Sequence, residues 1–90
     1  MSKLEITLYT IPGDEHSTMA KKLLQEHDVD FKEVDVMASE DVANELAKQT
    51  GQLSVPALVA KDADSGEVTG IVVGYDPSAI KQTFNLESPK

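Results

Sequence analysis

The sequence predicts an α/β domain: a four-stranded mixed sheet flanked by helices, in the order β-α-β-α-β-β-α. Three observations carry this. Short segments with a period of two alternate with longer segments whose apolar residues recur at helical spacing. Two β-branched runs near the C-terminal end are separated by a short, turn-rich linker, as in a hairpin. The chain has 90 residues, which suits one domain, since domains commonly run to ~100–150 residues.

The elements follow in order. In residues 4–9, Leu4, Ile6 and Leu8 alternate with polar positions and read as a strand. Pro12 and Gly13 interrupt it, and a helix is expected from Ser17 to about Glu26, with Met19, Ala20, Leu23 and Leu24 as its apolar stripe. Phe31 to Val36 alternates again as a second strand. Ser39 is an expected N-cap, followed by Glu40 and Asp41 where the helix dipole favours negative charge. Val42, Ala43, Leu46 and Ala47 form the buried stripe of this second helix, and Gly51 stands just past its end. Ala57–Lys61 and Glu67–Val73 form a hairpin around the linker at 62–66. Asp76 then caps a short helix that opens with Pro77 and runs to about Phe84. The residues 86–90 read as a frayed tail. With no repeat or linker in between, 1–90 is expected to be a single domain with its core over about 4–84. The first β-α-β unit must be parallel and right-handed.

Composition narrows the function. There is no cysteine and no arginine, and 16 acidic residues against 8 lysines give a net charge of −8. Without Cys there is no disulfide framework, thiolate metal site or nucleophilic thiol. The acidic balance argues against nucleic acid and anionic membrane surfaces as partners. Apolar runs reach only about four residues, against the ~20 of a membrane span. The opening Met-Ser-Lys-Leu-Glu lacks the apolar stretch of a secretory leader, so a cytoplasmic, monomeric protein is expected.

Local sequences add a resemblance. The run TLYTIPG at 7–13, followed by MAKKLL at 19–24, resembles the glutaredoxins. It is most similar to the small redoxins that donate electrons to ribonucleotide reductase, whose pattern is roughly Y-[ST]-K-P-x-C-P-x-C-x-x-A-K-x-x-L. TGQLSVP at 50–56 stands where the family has T-G-x-x-T-V-P, and Gly74, Tyr75 and Asp76 match its G-G-Y-D. The resemblance covers about residues 4–84 and implies a thioredoxin fold. It also implies a cis bond before Pro56 and a substrate-facing corner at Asp14, Glu15, His16, Ser17, Ser54, Val55, Pro56, Gly74 and Asp76.

Its departures decide the chemistry. The family's C-P-x-C is here Asp14, Glu15, His16 and Ser17. Thiol–disulfide exchange requires a thiolate that attacks a substrate sulfur and a resolving thiol that releases the mixed disulfide. A carboxylate cannot exchange with a disulfide, and a serine hydroxyl needs a general base. No thiol–disulfide oxidoreductase activity, no catalytic residue and no cofactor are therefore expected. The family's lysine is Ile11 and the first glycine of G-G is Val73, so a cation and a close backbone approach for glutathione are missing. Glutathione binding is expected to be weak or absent.

Each marked residue has a plain reading beside the functional one. Asp14 and Glu15 suit a helix start, as cap and dipole partner. Pro56 either fixes its loop or frees the main chain of Val55 to pair with an extended peptide. Asp76 is accounted for as a cap. The expected function is a redox-inactive binding module for a protein or peptide segment at the former active-site loop and the proline edge. The alternatives are the electron transfer suggested by family likeness, or a re-purposed hydrolase or metal site at Asp14–Ser17, which Tyr9, Ser54 and Asp76 would have to join.

Overall fold

The computed structural model describes residues 4–83; the tail expected at 86–90 and the helix end expected at Phe84 lie outside the described residues. Strand β1 (Leu4–Thr10) leads to helix α1 (Glu15–Glu26), strand β2 (Lys32–Asp35), a 3₁₀ turn at Val36–Ala38 and helix α2 (Glu40–Thr50). Strands β3 (Ala57–Asp62) and β4 (Val68–Val73) and helix α3 (Pro77–Thr83) complete the chain. The sheet order is β2-β1-β3-β4, with β1 parallel to β2 and antiparallel to β3, and β3 antiparallel to β4. This is the expected α/β architecture.

Alternation along β1 divides the core between the two faces of the sheet. Ile6 and Leu8 point to one face, where they pack with Leu58, Ala60, Val72, the α1 residues Ala20, Leu23 and Leu24, and Ile80 of α3. Tyr9, Ala57 and Val59 point to the other, where Leu46 of α2 and Val36 close over them. Burying a leucine such as Leu24 or Leu46 contributes roughly 2 kcal/mol. α2 contributes one fully buried residue, Leu46, whereas Val42, Ala43 and Ala47 are half-buried. One short helix cannot cover that whole face, and Ile71 and Val68 on β4 remain exposed.

Several local details correct the expectation and others agree with it. α1 starts two residues earlier than the apolar stripe indicates, because Asp14 supplies the cap. Met19 lies on the solvent side and Ser17 takes its place in the buried row with Ala20 and Leu24. β2 ends at Asp35, whose carboxylate accepts the Met37 N–H at 2.8 Å and turns the chain into the 3₁₀ segment. In the hairpin loop the Asp62 carboxylate accepts the N–H groups of Asp64 and Ser65. Gly51 ends α2 at φ 82°, a left-handed conformation that glycine adopts without a Cβ penalty.

Candidate functional site

The β1–α1 loop is closed by its own side chains. The Ser17 N–H and the Ser17 hydroxyl both donate to Asp14 Oδ2, each at 2.8 Å. The Asp14 N–H donates to the Ile11 carbonyl at 3.0 Å, and the Thr18 hydroxyl donates to the Asp14 carbonyl at 3.1 Å. Asp14 has extended backbone (φ −77°, ψ 125°), the geometry of an N-cap, and an acid here faces the positive end of the helix dipole. Its carboxyl is held below the usual carboxylate range. The Ser17 backbone N–H contributes most, the Ser17 hydroxyl next, and the neighbouring His16 adds a smaller effect. The group is an anion at neutral pH whose donors are internal.

The other two loop residues are not drawn in. Glu15 and His16 are exposed, and neither side chain makes a hydrogen bond among the described residues. Ser17 is 3% exposed and its hydroxyl is committed to Asp14, so His16 and Ser17 do not form a base–nucleophile pair. Among the described residues no three His, Asp or Glu side chains come together as a group able to hold a metal ion.

Across the sheet end lies the second part of the predicted corner. The Val55–Pro56 peptide bond is cis. Pro56 is buried and its carbonyl accepts the Gly74 N–H at 2.7 Å, tying the β3 entry to the end of β4. Gly74 has φ 89°, outside the range that side-chain-bearing residues favour. The main chain of Val55 makes no hydrogen bond among the described residues. Ser54 is exposed and donates to Gln52 Oε1 at 3.4 Å. Asp76 caps α3 by accepting the Ala79 N–H at 3.1 Å. Ile11, where the resembling family has lysine, packs with Val55 against the Tyr9–Leu46 cluster. That shared packing joins the loop to the proline edge.

Sequence reasoning missed two features. A cleft of about 370 Å³ opens on the β2 side of the loop, and of the predicted site residues it includes Ser17 alone. Its wall holds a relay in which Thr10 donates to Glu33 at 3.1 Å and Lys21 pairs with Glu33 at 3.0 Å. Lys21 and then Thr10 keep the Glu33 carboxyl below its ordinary range. These residues are distant in sequence, and only the β1–β2 register, Leu8 opposite Glu33, brings them together. The second is Tyr9, which faces α2 in a separate cleft with Gln49 and does not join Asp14.

A parallel β-α-β unit, an antiparallel hairpin, one helix on one face and two on the other, and a cis-proline turn beside a capped β1–α1 loop define a thioredoxin-fold protein. Solved structures of similar form agree. A thioredoxin-like protein, BC3987, superposes with a TM-score of 0.71 at 24% identity, covering 88% of this chain and 99% of that one. A glutaredoxin from Archaeoglobus fulgidus gives 0.72 at 21% identity, covering 89% and 85%. Mitochondrial thioredoxin 3 from Saccharomyces cerevisiae, in its oxidized form, gives 0.63 at 22% identity, covering 91% and 76%. No curated protein matches the sequence. The family model described as Glutaredoxin matches residues 6–63, and the chain belongs to the glutaredoxin family. It is a cysteine-free member. No helix among the described residues is long and apolar enough to cross a membrane.

Proposed function

We propose that this protein is a redox-inactive glutaredoxin relative that holds an extended protein or peptide segment against the Asp14–Ser17 loop and the Val55–Pro56 edge. One observation carries the reading. The side chains at the two thiol positions satisfy each other, Ser17 donating twice to Asp14, while the Val55 main chain is left without a partner. Strand-like pairing with an open N–H and C=O gives affinity without chemistry. Ionised Asp14 and exposed Glu15 place negative charge beside this edge, which favours a segment carrying lysine or arginine and disfavours anionic glutathione. Ile11, packed inward, offers no cation to a carboxylate.

Two measurements test this. In an insulin-reduction assay with dithiothreitol the protein gives the buffer rate; turnover above it overturns redox inactivity. Selection of random heptapeptides on the immobilised protein, followed by amide-shift mapping, yields peptides whose shifts centre on Ile11, Ser17, Val55 and Gly74. Failure to recover any binder, or shifts centred elsewhere, overturns the binding reading.

A further inference from the structure

The face of the sheet under α2 carries a second site, separate from the loop. Because α2 reaches only part of that face, a cleft of about 270 Å³ remains between the helix and β1, β2 and β3. Its apolar part includes Val34 and Val42 together with the ring of Tyr9. Its charged groups are divided between the elements. Asp41 and Glu45 come from the helix; Lys32 and Lys61 come from the strands, set by the pairing of Lys32 with Thr7 and of Lys61 with Glu5. Among the described residues neither lysine forms an ion pair, and neither does Asp41 or Glu45.

Gln49 also lines the cleft. Gln49 donates through Nε2 to Glu45, but its Oε1 is shielded from solvent and has no hydrogen-bond partner. A buried amide oxygen without a donor is disfavoured by ~1–3 kcal/mol. Were the amide turned over, its nitrogen would be the orphan instead. Tyr9 adds a phenol, whose pKa is raised by burial and then by the Glu45 charge.

We infer that this cleft binds a small apolar zwitterion, of the class of an amino acid or dipeptide with an aliphatic or aromatic side chain. The ammonium group meets the Asp41 and Glu45 carboxylates, the carboxylate meets Lys32 and Lys61, and the side chain lies on Tyr9 and Val42. Charges of both signs on opposing walls select a dipolar molecule over a simple anion or cation, for which one wall is repulsive. The volume is below the usual range for drug-sized ligands and suits a smaller molecule.

The test is an amide-shift titration of the full chain with L-leucine, L-phenylalanine and glycyl-leucine. At least one binds saturably with a Kd of about 1 mM or tighter, shifting Tyr9, Lys32 and Gln49 and leaving Val55 and Gly74 in place. Isopentylamine and isovalerate, each retaining one charged end, bind at least roughly tenfold more weakly, as does the zwitterion to Glu45→Gln and to Lys61→Met. Thermal melts and the one-dimensional spectrum of each variant establish that it is folded. The inference is overturned if none of the three probes saturates by about 20 mM, if a half-ligand binds as well as the zwitterion, or if the shifts centre on Val55 and Gly74. The last outcome would leave the peptide site standing.

Discussion

Leu46→Ala removes the one side chain by which α2 is fully anchored. Leu46 has no exposed surface and sits among Tyr9, Val36, Ala57 and Val59. Loss of its three outer carbons, at ~0.8 kcal/mol each, removes about 2.4 kcal/mol of burial. The cavity term raises leucine-to-alanine changes to about 2–5 kcal/mol. Since its neighbours on α2 are only half-buried, the helix can settle partway into the gap, placing the expected cost at about 3 kcal/mol. A chain of 90 residues has roughly 5–13 kcal/mol in total, so the variant stays folded. Its melting midpoint falls by about 12–24 °C. Urea unfolding followed by far-UV circular dichroism measures the loss, with Leu53→Ala, at 62% exposure, as a control expected within ~0.5 kcal/mol of the parent. Because Ile11 and Val55 pack on the same cluster, their amide resonances move, whereas those of Ala20 and Val72 on the opposite face do not. A cost below about 1 kcal/mol, or one equal to that of Leu53→Ala, would refute the assignment of Leu46 as the anchor.

Other perturbations have definite outcomes. Asp14 and Glu33 are both held below their ordinary values in the folded state, so their contribution to stability is complete above about pH 5 and is lost as pH falls through the folded values. Urea midpoints measured from pH 7 to acid therefore decline, and the decline is shallower in Asp14→Asn. Gly70→Ala places a Cβ 2.6 Å from Thr83 Cγ2, and the expected destabilisation of ~1 kcal/mol is largely removed by adding Thr83→Ser, as a double-mutant cycle in urea would measure. Ser39→Ala deletes the oxygen that accepts the Val42 N–H at 3.3 Å and costs about 1 kcal/mol by thermal unfolding. The double change Asp14→Cys with Ser17→Cys puts thiols at a helix N-terminus, where the first is acidified, and insulin reduction then rises above the buffer rate.

What could be read from the chain follows the range of the interactions involved. The cap at Asp14 rests on groups three residues apart, so it is visible locally. The caps at Ser39 and Asp76 are legible for the same reason. Alternation at Leu4, Ile6 and Leu8 identifies a strand but not its environment: Leu4 is 43% exposed where the other two are buried. Met19 misled because helical spacing defines a stripe and not its exact centre; the smaller Ser17 turns inward because its hydroxyl is satisfied by Asp14.

By itself the sequence determined that this protein has the order and punctuation of a glutaredoxin and none of its thiols, since element type and residue chemistry are local properties. Only the tertiary structure decided that Ile11 and Val55 share one cluster and that Tyr9 faces α2 and not the loop. Strand register and the limited reach of a single helix across a four-stranded sheet set those contacts. They join residues separated by tens of positions, whose proximity no local pattern encodes.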